Sequence, residues 1–218
     1  MTREDRPPQV FDDAEGVAAA ATRIVAELVR GQDAVRLALA GGSTPRRCHE
    51  LLAAMSGVPW ERVTIFFGDE RCVPPDSPES NYRMAADTLL DRVRMGAVRR
   101  IAVERGAEAA AAAYAPLVAA APLDLVLLGI GPDGHTASLF PGNPGLDAAG
   151  YVTAVHRAPK PPPDRVSLTL RALREARRVV FLVVGADKRD AVRRAHEGSV
   201  PAGLIAGAEW LITRDAAA

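Results

Sequence analysis

Short apolar runs alternate along the chain with longer segments in which apolar residues recur every three or four positions. Val35–Leu39, Val63–Phe67, Leu123–Leu128 and Val179–Val184 have the length and near-continuous apolar character of strands buried on both faces. Helical spacing covers Asp13–Val29, with a stop near Gly31. Further helices are expected from Pro45 to about Met55, from a cap at Ser80 or Asn81 to about Val93, over Ala107–Ala120, and from Lys188 to about His196. Weaker strand signals lie at Arg100–Val103, Tyr151–Val155, Arg165–Leu168 and Glu209–Thr213. Such alternation predicts an α/β fold, a doubly wound, mostly parallel sheet with helices on both faces, Rossmann-like in outline. No repeat and no Ser/Gly linker interrupts the pattern, and 218 residues suit one unit, so a single domain over 1–218 is expected.

Composition narrows the partners. Hydrophobic residues make up 48% and charged residues 25%, enough for a packed core. Basic and acidic residues both number 27, which argues against a nucleic-acid surface or a basic membrane patch. An anionic ligand must therefore meet a local cluster of positive groups. All but two of the basic residues are arginines, the exceptions being Lys160 and Lys188. A compact ammonium holds a phosphate as a point charge where a planar guanidinium fits badly, so both lysines stand out. Cys48 and Cys72 share no metal-ligand spacing and read as reduced, structural residues of a reducing compartment. The lead MTREDRPPQVFDD lacks the apolar core of a signal peptide. The alanine-rich run Ala107–Ala121 is broken by Tyr114 and Pro116 and reads as a packing helix. A cytoplasmic protein, monomeric or weakly dimeric, with no metal and no cofactor, is the expectation.

The chemistry-bearing clusters all follow predicted strands, where α/β sheets bind ligands. Gly41-Gly42-Ser43-Thr44-Pro45 combines close backbone approach, two hydroxyls and a helix start, a combination suited to phosphate. It is not a Walker A loop, because no Gly-Lys-Ser/Thr follows. Gly68-Asp69-Glu70-Arg71 places two acids and a guanidinium together, either as a salt bridge or around a substrate. Gly129-x-Gly131-x-x-Gly134 has dinucleotide spacing, but Pro132 lies inside it and no long helix or later acidic residue follows. Its glycines instead expose Asp133 and His135, and imidazole suits proton transfer near neutral pH. His49, His156 and His196 read as structural or solvated.

In this order, LALAGGSTPRRCHELL, FFGDERCVPPDSPESNYRMA, LVLLGIGPDGHTASLFPG, APKPPPDRVSLTL and VVGADKRDAV resemble the 6-phosphogluconolactonase family over residues 37–192. The resemblance implies a fold shared with glucosamine-6-phosphate deaminase, which has similar glycine and histidine loops. It implies hydrolysis of a phosphorylated sugar lactone, a step of the oxidative pentose phosphate pathway, with His135 as general base and Asp133 or Asp69 orienting it. Arg71 would stabilise the carbonyl oxygen or hold the phosphate, and Gly42, Ser43, Thr44, Lys160, Arg165 and Lys188 would bind the substrate. Two positions separate the readings: the deaminase loop typically ends Asp-Glu-Tyr, where this chain has Arg71, and carries glutamate where this chain has Phe140. A non-catalytic sugar-phosphate sensor of the same fold is a third reading, disfavoured by the short lead and by His135.

Overall fold

The computed structural model describes residues 7–217, so the start of the N-terminal lead lies outside the described residues. The first half contains β1 (Gln9–Phe11), α1 (Ala14–Gly31), β2 (Val35–Leu39), α2 (Ser43–Ala54), β3 (Val63–Phe67), β4 (Asp69–Arg71) and α3 (Asn81–Ala85). The second half contains β5 (Ala97–Val98), α4 (Ala107–Ala119), β6 (Leu125–Leu128), β7 (Val152–Val155) and β8 (Arg165–Leu168). It ends with α5 (Leu170–Glu175), β9 (Val179–Val183), α6 (Arg189–His196) and β10 (Glu209–Thr213).

Seven strands form one parallel sheet in the order β1-β10-β9-β6-β2-β3-β5. Every residue of β6 and β9 is buried, as their unbroken apolar sequences require when helices cover both faces. α1 is capped by Asp13, whose carboxylate accepts the Gly16 N–H at 2.8 Å. It buries the stripe Val17, Ala18, Ala21, Val25 and Val29. Among the described residues no helix is long and apolar enough to cross a membrane.

A second sheet, antiparallel and ordered β4-β8-β7, stands beside the first. β7 and β8 fall on the strand signals at Tyr151–Val155 and Arg165–Leu168, but β4 is unannounced, because Asp69-Glu70-Arg71 has the composition of a loop. Gly68 is the pivot of the small sheet: the Gly68 N–H donates to the Leu39 carbonyl of the large sheet at 2.9 Å. Its own carbonyl accepts from Leu168 N of the small sheet at 2.8 Å. Nearby, the buried Tyr114 hydroxyl of α4 accepts the Phe67 N–H at 2.8 Å and so fixes the end of β3.

Several sequence expectations are corrected. Arg100–Val103 is not a strand; the edge strand is β5, which pairs with Thr64 and Ile65. Ile101 and Val103 bury their side chains from irregular backbone and a short 3-10 turn. The helix expected to reach Val93 is α3 continued by a π turn, Ala86–Leu90. α2 begins at Ser43, two residues before Pro45, because Gly42 at φ 108 turns the chain immediately after the strand.

His49 lies inside α2 with no exposed surface. Its Nδ1 is 3.3 Å from the Thr88 hydroxyl, which already gives its proton to the Met84 carbonyl at 2.6 Å; Nδ1 is therefore the donor. Burial, with Arg46 adding to it, lowers the imidazole pKa from 6.5 to about 4. The native state thus holds His49 neutral, while the unfolded chain takes up a proton below its ordinary pKa. Stability is complete above pH 6.5 and falls as the pH drops toward 4, by about 3 kcal/mol in all. Urea denaturation at neutral pH and near pH 4.5 should show this loss, and His49→Leu should abolish that part of it. An equal acid-side loss in His49→Leu would assign the effect to other groups.

Candidate active site

β2 and β6 lie side by side at the centre of the sheet, with Leu37 opposite Leu125 and Ala38 opposite Val126. Within the large sheet the next strand after β2 is β3 on one side, and the next after β6 is β9 on the other, reached by way of β7 and β8 of the small sheet. A crevice is left at the strand ends, as the rule for open α/β sheets requires. A cleft of about 230 Å³ occupies this place. Ala40, Gly41 and Gly42 form one wall and Gly129, Ile130, Gly131 and His135 the other. Asp69, Arg71, Asn81, Lys160, Arg165 and Lys188 close it.

His135 stands on the loop after β6. Asp133 Oδ1 lies 2.5 Å from His135 Nδ1 and also accepts the His135 main-chain N–H at 3.3 Å. Gly131 makes the close fold possible: a Cβ there would lie 2.1 Å from the imidazole Cε1 and Nδ1 and 2.5 Å from Asp133 Oδ1. Burial lowers the His135 pKa, and Asp133, by hydrogen bond and by charge, opposes without cancelling it. Lys160 adds a lowering field and Asp69 a raising one. Burial also pushes Asp133 upward, but its bonds to His135 and the histidine charge outweigh this and hold it below the usual carboxylate range. An ionised Asp133 places the imidazole proton on Nδ1, so Nε2 is left as the basic nitrogen. The Phe140 ring packs against the imidazole at 4.5 Å between centroids.

The Asp-Glu-Arg segment divides its labour. Glu70 turns away from the cleft and caps the start of α3, accepting from Arg71 N, Asn81 N, Tyr82 N and the Ser80 hydroxyl at 2.8, 2.8, 2.8 and 3.0 Å. Burial nonetheless keeps its pKa raised against those bonds. Arg71 donates to the Glu79 carbonyl at 2.7 Å and lines the cleft. Arg165 is 5% exposed, and its Nε and Nη2 donate to the carbonyls of Pro162, Lys160 and Pro161. It therefore braces the loop that carries Lys160, with its guanidinium 5.4 Å from the Phe140 ring centre. His156 ties down the same loop from outside, with Nδ1 on Asp164 at 2.8 Å and Nε2 on Glu108 of α4 at 2.6 Å. Lys188 pairs with Asp187 at 2.9 Å just before α6.

The sequence model of the glucosamine-6-phosphate isomerase/6-phosphogluconolactonase family matches residues 12–213. The chain belongs to this family. Among family members, 6-phosphogluconolactonase of Streptomyces coelicolor is 41% identical over 208 residues, covering 83% of this chain and 78% of that protein. The 6-phosphogluconolactonase of Mycobacterium tuberculosis is 39% identical and covers 96% of each chain. The crystal structure of 6-phosphogluconolactonase from Thermotoga maritima superposes with a TM-score of 0.85 at 30% identity, over 94% of this chain and 98% of that one.

In this family member the structure brings most of the sequence-selected residues to one cleft. His135, Asp69, Arg71, Gly42, Lys160, Arg165 and Lys188 line it, with Asp133 directly behind His135. Ser43 and Thr44 occupy the first turn of α2, just outside the lining residues. Asp69 makes no hydrogen bond to His135 among the described residues, so Asp133 is the histidine's partner. Sequence reasoning missed Asn81 as a lining residue, since it reads as a helix cap. Gly41 makes room for it, since a Cβ there would fall 2.0 Å from Asn81 Oδ1.

The 2.5 Å Asp133–His135 bond should produce a strongly downfield imidazole proton in the NMR spectrum, because charge-assisted bonds of this kind are short. Gly131→Ala should abolish that signal while the chain stays folded. Its survival in the variant would contradict the assigned geometry.

Proposed function

We propose that this protein hydrolyses 6-phospho-D-glucono-1,5-lactone to 6-phosphogluconate, with His135 as general base, acting as one cytoplasmic hydrolase domain over 1–218. The observation that carries the reading is the Asp133–His135 pair at 2.5 Å, its free Nε2 opening onto a cleft lined by Arg71, Lys160, Arg165 and Lys188. The lactonase names of close family members over most of their length support the same substrate.

In the proposed reaction Nε2 of His135 removes a proton from water as the water oxygen bonds to the lactone carbonyl carbon. Negative charge gathers on the former carbonyl oxygen, where the Arg71 guanidinium stabilises it. The bond from the carbonyl carbon to the ring oxygen then breaks. His135 returns its proton to that oxygen, giving the open-chain acid and restoring the neutral imidazole. Asp133 stays ionised throughout and stabilises the transient imidazolium. The depressed pKa of His135 keeps it in the basic form at neutral pH, and positioned proton transfer of this type contributes ~10²–10⁴-fold to rate. The phosphate lies among the Gly41–Gly42 backbone, the N-terminus of α2, Lys160 and Lys188, a local positive field in a chain of zero formal charge. Deamination of an amino sugar needs a further proton-shuttling group, and the side chain packed beside His135 at this position is the Phe140 ring.

Hydrolysis of freshly generated lactone, measured against its spontaneous background, is the deciding experiment. His135→Ala should lower kcat by ~10²–10⁴-fold and leave 6-phosphogluconate binding nearly intact. Equal loss of turnover and binding would refute the general-base role. Lys188→Ala should mainly raise KM, as expected for a contact to the unreacting phosphate; a fall in kcat alone would move Lys188 from the phosphate to the reacting centre.

A further inference from the structure

Asp69 is unusual among the charged groups of the cleft. It is 7% exposed, yet the partners of its carboxylate are neutral. Ser138 donates its hydroxyl to Oδ2 at 2.6 Å, and Asn81 Nδ2 donates to Oδ1 at 3.1 Å and to the Asp69 carbonyl at 3.0 Å. Arg165 exerts an electrostatic pull on Asp69, but its Nε and Nη2 point at the carbonyls of Lys160, Pro161 and Pro162. Acid and base on one wall are thus held apart, each by hydrogen bonds to other groups. Each carboxylate oxygen has taken one donor and has room for another, and a desolvated carboxylate is a strong acceptor. A phosphate is repelled from this spot, so the acceptor serves the uncharged, hydroxyl-bearing part of a ligand.

Ser138 is itself fixed from behind. Its main-chain N–H donates to the Ser167 hydroxyl at 3.1 Å, and Ser167 donates to the Leu168 carbonyl at 2.9 Å. Ser138 lies three residues past His135 on the same loop, and Ser167 faces Asp69 across the β4–β8 ladder. One buried hydroxyl therefore joins the histidine loop to the acidic strand.

We propose that Ser138 is a positioning residue which, with Asn81, keeps the Asp69 carboxylate turned into the cleft as the acceptor for a hydroxyl of the bound sugar. The inference rests on the reading that the cleft takes a phosphorylated sugar, and it does not depend on turnover. Without the Ser138 hydroxyl, Asp69 is free to swing toward the Arg165 guanidinium and is lost to the ligand.

The test is binding of two ligands, 6-phosphogluconate and inorganic phosphate, by calorimetry. Ser138→Ala should weaken 6-phosphogluconate about tenfold and leave inorganic phosphate unchanged within twofold. In an Asp69→Asn background the same substitution should have less than a twofold further effect, since contacting residues couple. Ser138→Thr, which keeps the hydroxyl, should restore most of the affinity. Equal weakening of both ligands, no weakening of either, or a full tenfold effect in the Asp69→Asn background would overturn the proposal. If the alanine variant fails to fold, Ser138→Cys keeps the size with a poorer donor and is judged by the same outcomes. If the variants follow this pattern while the wild-type protein does not hydrolyse the lactone, the hydrolase reading fails and the role of Ser138 stands.

Discussion

The pairing of β2 with β6 at the middle of the parallel sheet is the constraint on which the rest depends. Because the next large-sheet strands, β3 and β9, lie on opposite sides of this pair, the ends of β2 and β6 are left with a cleft between them. The glycine loop after β2 and the histidine loop after β6 are brought face to face by backbone hydrogen bonding alone. The third wall comes from Gly68, which hands the chain from the large sheet to the small one and swings Asp69 and Arg71 over the opening.

Electrostatics at this place follows from crowding. A chain with no net formal charge concentrates Arg71, Lys160, Arg165 and Lys188 around a single imidazole and a single inward-facing carboxylate. Burial disfavours the imidazolium, Asp133 favours it, and burial prevails. The nearby cations are mostly tied to carbonyls or exposed acids, so they define a field without collapsing onto Asp69. The Lys160 loop is braced twice, by Arg165 from within and by His156 from without.

Much of this was legible in the sequence, for physical reasons that differ by element. The inner strands of the large sheet are buried on both faces, and that requirement writes itself as short apolar runs such as Leu125–Leu128 and Val179–Val183. Glycines that admit a close neighbour are equally visible, as Gly131 is for His135. In the small sheet β7 and β8 were legible but β4 was not, because it is three charged residues held by pairing with β8 and carries no periodicity of its own. Ile101 and Val103 misled in the opposite sense, since burial alone satisfies them without a strand. Asn81 and Ser138 were hidden because small polar residues carry no signal until their partners are known. Asp69 and Asp133 were both candidates to orient the histidine, and only the folded loop gives that place to Asp133.

Glu70 has a consequence of a different kind. Its one carboxylate gathers donors from both ends of an excursion, Arg71 on the near side and Ser80, Asn81 and Tyr82 on the far side. The proline-containing stretch between them is thereby pinched off at its base. None of residues 73–78 lines the cleft, so substitution there is expected to leave Asp69, Arg71 and Asn81 in their places. A buried acid that does no chemistry thus separates the part of the chain that must be exact from a part that has licence to drift.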